Sequence, residues 1–308
     1  MPMGESDRLL TILTREYGLV RAVAMGSRKY NSSLGGRSGL FVVNDLLLAK
    51  GRSLDKVTQA ETLESYPGLG QDLKKLTASQ YLAELALYQA LSDQPQEDLF
   101  TLLNGHLKRL EQAPGHLALA HLTHGMFQLL VLAGIAPQVH LCCVTQQLLI
   151  PDFAQPDWRV GFSPTAGGTV TLAALEQLQA KRRLPPKRAV KPTSVHLAKE
   201  PREVDFDDGG EKMGRDRANV PDNQSTQPFT LGILLNAAEL ELLQQLAQAE
   251  LPQPGQLMPD SLSNPSLSPE ELWRSIERIL RHYAQYHFDR PIRSATLIDS
   301  CFAPATHL

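Results

Sequence analysis

The chain of 308 residues carries 30 Lys and Arg against 33 Asp and Glu, a formal charge of −3, and 42% of it is hydrophobic. That composition supports packed cores, excludes global disorder, and excludes a bulk polycation, so any contact with nucleic acid must come from local patches. The length accommodates two domains with an insertion. Cys142, Cys143 and Cys301 make no disulfide framework, because neighbouring cysteines bridge only with strain, and a reducing, cytoplasmic setting is expected. The longest apolar run, "FQLLVLAGIA", has the length of a buried helix rather than a membrane span. The opening "MPMGESDRLL" lacks the regions of a signal peptide.

Strand-like runs come first: "DRLLTILT" (7–14), a turn at Gly18, "LVRAVAM" (19–25), "LFVVNDLLLAK" (40–50) and "KVTQAETLE" (56–64). Their alternation is imperfect, as where strands curl, and no crossover helix separates them, so an antiparallel meander or small barrel is expected. From about 77 to 134 the period becomes helical, in "TASQYLAELALYQAL", "EDLFTLLNGHLKRLEQ" and "GHLALAHLTHGMFQLLVLAG", with a stop at Gly134 and Pro137. Residues 135–175 read as irregular. Residues 181–228 are highly charged and rich in turn formers, which reads as a disordered insertion. Helices resume with a capping box at Asn236 and Glu239. The last helix has Ser268 as N-cap, Pro269 at N1, Glu271 at N3, and a stripe of Leu272, Ile276, Ile279, Leu280 and Tyr283.

Enzyme chemistry finds little support. There is no phosphate-binding Gly-x-x-x-x-Gly-Lys loop, no nucleophile elbow, and no His-Glu-x-x-His. His121, His124, His140, Cys142 and Cys143 cluster in sequence, but no Cys-x-x-Cys knuckle closes, so buried thiols and ordinary helix histidines are expected in place of a metal site. The window "REYGLVRAVAMGSRKYNSSLGGR" (15–37) is different: Arg15, Arg21, Arg28, Lys29 and Arg37 face a single acid, Glu16. A basic Gly/Ser loop between strands brings cations to a phosphate backbone, and Tyr17 and Tyr30 offer stacking faces. An ordinary solvated surface is the alternative. Two further basic sets, Arg274, Arg278 and Arg281 on the last helix and Lys181, Arg182, Arg183, Lys187, Arg188 and Lys191, read as solvated charge.

The opening "MPMGESDRLLTILTREYGLVRAVAMGSRK", followed by "SSLGG", resembles the N-terminal signature of the RecO family of bacterial DNA repair proteins. Gly4, Glu5, Asp7, Thr14, Arg15, Glu16, Gly18, Gly26, Arg28 and Lys29 fill its places, and "LAGIAPQVHLCCV", "FSPTAGG" and "HFDRPIRSATLI" are similar to later segments. The resemblance implies an α+β chain: an OB-fold over 1–75, its first strand missing, then a helical domain at 76–135. A degenerate zinc-finger-like region follows at 136–180, then the insertion at 181–228 and C-terminal helices at 229–308. It implies a non-catalytic recombination mediator of the RecF pathway. Such a protein binds single- and double-stranded DNA, anneals strands, works with RecR and single-strand-binding protein, and assists RecA loading. Arg15, Arg21, Arg28, Lys29 and Arg37 are the expected phosphate contacts. No cofactor, membrane or small-molecule substrate is implied, since the second cysteine pair of zinc-binding members is absent from "TVTLAALEQL". The rival expectation is a protein-interaction scaffold with little DNA affinity.

Overall fold

The structure, a computed structural model, describes residues 4–183, 233–253 and 268–302. Strands β1 (Arg8–Thr14) and β2 (Gly18–Ala24) form a hairpin in unbroken antiparallel register from Arg8 opposite Ala24 to Thr14 opposite Gly18. Strands β3 (Val42–Ala49) and β4 (Asp55–Ser65) form a second antiparallel pair, bent by two register shifts, at Val43/Asn44 and Leu47/Leu48. The two pairs join through β2 and β4, which run parallel at Ala22/Asp55 and Val23/Lys56, giving the order β1-β2-β4-β3. The sheet is therefore mixed and open among the described residues, where the sequence pointed to an antiparallel meander or barrel. The long loop after β2 explains the difference: it carries the chain past β2, so that β3 lies on the outside and β4 returns beside β2.

One face of this sheet is apolar. Ala22, Ala24 and Val57 are buried there, with Leu10, Ile12, Leu34, Leu46, Leu48 and Ala60 packed around them. The far end of the β1–β2 hairpin docks onto the segment between the first two helices. Leu19 N donates to Leu91 O, Asp93 N to Tyr17 O and Gln96 N to Arg15 O. Gly18 sits at φ +65°, and a Cβ there would lie 2.0 Å from Leu91 O, so no side chain fits.

Helices α1 (Leu73–Gln89), α2 (Glu97–Gln112) and α3 (Ala118–Leu132) follow in the expected places. The stretch read as irregular holds structure that the sequence reading missed: β5 (Val160–Ser163), β6 (Gly168–Val170) and α4 (Leu172–Arg183). Helix α4 thus runs into the segment read as disordered, and the rest of that segment, from residue 184, lies outside the described residues. Strand β7 (Ile233–Leu235) pairs antiparallel with β5, completing a small sheet of order β6-β5-β7. Then come α5 (Ala237–Gln245), α6 (Pro269–Phe288) and α7 (Ala295–Cys301). Both expected capping boxes are present, at Asn236/Glu239 and Ser268/Glu271. The described residues up to Leu175 and from Ile233 onward make one compact unit, and the described part of the other, 176–183, is the end of α4.

Helix α6 packs against α3, and its expected stripe of Leu272, Ile276, Ile279, Leu280 and Tyr283 is buried. Its other contents are less ordinary. Glu277 is fully buried and receives Arg281 Nε at 2.9 Å and Nη2 at 2.6 Å, while Arg281 Nη1 also reaches Asp299 of α7 at 2.8 Å. Burial pushes the Glu277 carboxyl up, and the guanidinium pulls it back. On α1, Glu84 accepts from the Arg293 and Ser294 backbone N–H groups and the Ser294 hydroxyl, which fixes the α6–α7 connection. Three histidines fill the interface of α2 and α3. His106 and His124 meet edge to face at 5.5 Å, and His124 Nε2 lies 2.9 Å from Gln248 O. Burial, first, and the neighbouring charge of Arg109 lower His106 to about 3, and burial lowers His121 to about 4.

Two outcomes are expected. Arg281→Ala leaves the Glu277 carboxylate buried and unpaired, so chemical denaturation should give a loss of about 3–5 kcal/mol, largely recovered in Glu277→Met/Arg281→Met. His106 and His121 titrate below their unfolded value of 6.5, so unfolding takes up protons between pH 6.5 and about 3–4. Stability should therefore be fully present above pH 6.5 and fall as pH drops, by up to about 1.4 kcal/mol per unit for each histidine. Urea midpoints across pH 4–7, for the protein beside His106→Gln, check this by a shallower slope in the variant.

Candidate nucleic-acid interface

The loop between β2 and β3 is a chain of tight turns. Lys29 N donates to Gly26 O, Ser32 N to Lys29 O, Gly35 N to Ser32 O, and Gly39 N to Gly36 O, all within 3.0–3.1 Å. Three anchors hold it against the start of β1. Gly26 N donates to Asp7 Oδ1 at 2.7 Å, Arg28 N to Ser6 O at 2.9 Å, and Arg8 Nη1 to Gly35 O at 2.8 Å and Ser38 Oγ at 2.9 Å. Leu34 packs against the sheet's core from above. A loop of small polar residues is thereby fixed in shape with its charged side chains left outside.

The five cations singled out by sequence do not form one cluster. Arg28, Lys29 and Arg37 lie on the loop and are exposed, with Arg37 Nη1 bonded back to Ser33 O at 2.9 Å. Tyr30 beside them is fully exposed. Arg21 is exposed on the outer face of β2, opposite Thr11 of β1. Arg15 is at the other end of the hairpin, 4.8 Å above the Phe100 ring of α2, where it belongs to the junction with the helices. Arg8 was not among the expected residues, because it counts as one more strand position. Its signal is an arginine on the inward face, opposite Ala24, where only a side chain with buried acceptors to reach is at home.

The other basic sets fare differently. Arg274 pairs with Glu270 at 3.2 Å and Arg281 with Glu277 and Asp299, so of that helix face read as solvated charge only Arg278 is exposed. Lys181, Arg182 and Arg183 are in α4, and Lys187, Arg188 and Lys191 lie outside the described residues. Near the cysteines, Cys142 Sγ is buried and accepts the backbone N–H groups of Thr145 at 3.4 Å and Thr171 at 3.3 Å. Burial raises this thiol, and those hydrogen bonds outweigh it, bringing it to about 7. A structural zinc ion takes four sulfur or nitrogen ligands, whereas threonines stand around Cys142, so these residues do not fit one. Among the described residues no three His, Cys, Asp or Glu side chains are placed to share a metal, and no helix is long and apolar enough to cross a membrane.

Two family models match the chain: Recombination protein O N terminal over residues 1–66, and Recombination protein O C terminal over residues 70–191. The first covers the four-stranded sheet and its basic loop. A protein named DNA repair protein RecO from Nostoc sp. is 52% identical over 304 residues, 98% of this chain and 92% of its own length. The protein of that name from Acaryochloris marina is 51% identical over 308 residues, 100% of this chain and 94% of its own. That from Cyanothece sp. is 50% identical over 304 residues, 99% and 93% respectively. With family models matching 1–66 and 70–191 and relatives alike over 98–100% of its length, the chain belongs to the RecO family of DNA repair proteins.

Proposed function

We propose that this chain is a non-catalytic recombination mediator of the RecF pathway, which binds and anneals single-stranded DNA and assists RecA loading. In this reading the four-stranded sheet is the body of an OB-fold barrel, and Arg28, Lys29 and Arg37 give it a phosphate-binding loop, extended by Arg21. Arg15, stacked on Phe100, contributes charge from the far end. RecR and single-strand-binding protein are its partners, the cytoplasm and nucleoid its place, and no cofactor is called for. The observation that carries the reading is the loop itself. Its backbone is held by Asp7, Ser6 and Arg8, so its exposed cations are presented without a large ordering cost on binding.

Fluorescence anisotropy with a labelled single strand across a salt series tests it. Steep salt dependence is expected, and Arg28→Ala/Lys29→Ala should weaken binding of every sequence alike, with the slope reduced by about one to one and a half. Weak binding with a flat slope would instead favour the scaffold. Arg8→Met removes no outward charge but frees the loop. Amide hydrogen exchange over residues 33–39 should accelerate in that variant while the helices stay protected.

A further inference from the structure

The parallel pairing of β2 with β4 has a consequence for charge. It sets Lys56 beside Val23, on the face opposite to the buried Ala22, Ala24 and Val57. Arg21 projects from that same outer face, two residues back along β2. Lys56 also faces Ala49, the last residue of β3, and the turn that follows carries Lys50 and Arg52. All four cations are exposed, the Lys50 side chain to 89%. Among the described residues no carboxylate pairs with Arg21, Arg52 or Lys56, and the sole acid near Lys50 is Asp55, at 3.7 Å. Asp55 has a second task, since its Oδ1 accepts Gly51 N at 3.1 Å and shapes the turn.

We propose that this corner is a second phosphate-binding station, and that a single strand runs from the basic loop down the outer face of β2, over Arg21 and Lys56, to Lys50 and Arg52. The inference rests on the DNA-binding reading and extends its site to residues outside the loop. Distance permits it: Arg21 and Arg28 are separated by at most about 25 Å of chain. The surface between them also fits. Val23 lies along the route, Leu9 opposite it and Met25 beyond it are exposed, and Tyr30 stands at its upper end, apolar and aromatic surface on which unpaired bases can lie. A duplex, whose bases are hidden, gains nothing from these side chains. The rest of the outer face is closed to phosphate, because Asp45 and Glu61 oppose each other directly across β3 and β4. The strand is thereby confined to the β2 side.

The test uses the full chain and thymidine oligonucleotides of about 5 and about 16 nucleotides, spanning the site sizes of barrels of this kind. Binding is read by anisotropy against salt for the protein, Arg28→Ala/Lys29→Ala, and Lys50→Gln/Arg52→Gln/Lys56→Gln. On the long probe the turn variant should lose about tenfold in affinity, and its slope should fall by about two, close to 0.7 for each lost phosphate contact. On the short probe, which the loop alone can hold, the turn variant should match the parent while the loop variant fails. Asp55→Asn keeps an oxygen for Gly51 N and removes the acid, so it should tighten the long probe by roughly two- to fivefold, a gain that misfolding does not produce. If the parent binds steeply and the loop variant is weakened, while the turn variant and Asp55→Asn equal the parent on the long probe, the second station is wrong and the first stands. If the parent itself binds with a flat slope, both fall.

Discussion

Three buried side chains, Ala22, Ala24 and Val57, are a small core for four strands, and the partly buried leucines around them leave much of that face at the rim. At about 25 cal/mol per Å² of apolar area, so few alanine and valine side chains stabilise the sheet weakly on their own. The sheet depends on its attachment at the Gly18 turn, where three main-chain hydrogen bonds join the hairpin to residues 91–96. That attachment demands a residue without a side chain in a left-handed conformation, and only glycine meets both demands. From this fixed end, unbroken β1–β2 register carries order to the other end, where Asp7 and Arg8 hold the basic loop. The loop's geometry is thus inherited from a contact at the opposite end of the hairpin.

Charge is distributed by the same logic. In the helical part, carboxylates are engaged in holding elements together: Glu84 on the α6–α7 connection, Glu277 and Asp299 on Arg281, and Glu111 on Gly68 N in the turn before α1. Arg274 and Arg281 there are paired with acids. In the sheet, Asp7 and Asp55 serve backbone N–H groups of turns, and the cations Arg21, Lys29, Arg52 and Lys56 face solvent without such partners. A net charge of −3 therefore coexists with a positive sheet. The proposed attraction for a polyanion would draw on this asymmetry rather than on the total.

What was legible in sequence was what local chemistry encodes. Helix starts were read from Asn236/Glu239 and Ser268/Glu271, because a capping box closes within four residues. The hairpin was read from Gly18, and the loop from its glycines and serines. Pairings between distant residues were not legible. Two residue pairs join β2 to β4, too few to leave a pattern, and they alone decide that Lys56 belongs with Arg21. Strands β5, β6 and β7 have three or four residues each, below the length at which alternation can be recognised. Charge counting grouped Arg15 with the loop, because a window cannot register that a hairpin sends its turn and its strand ends in opposite directions. Likewise, spacing of four and three placed Arg274, Arg278 and Arg281 on one face, whereas buried Glu277 and, from α7, Asp299 draw Arg281 inward.

The pairing of β7 with β5 has a consequence for how the family's chains can vary in length. Val160, Gly161 and Phe162 meet Leu235, Leu234 and Ile233, so the strand that resumes at Ile233 is seated on the edge of β5 away from β6. Where both ends of a connection are held by the fold, a flexible stretch added to it costs the entropy of ring closure. That quantity grows logarithmically, by about 0.6 kcal/mol for each doubling of the intervening chain. Flexible residues added between α4 and β7 would therefore cost little stability. The same clasp delivers α5 and α6, and with α6 the Glu277–Arg281 pair, to the helical core whatever the intervening length. The few residues of the clasp, fully buried at Phe162 and Leu235, are thus what permits the rest to drift.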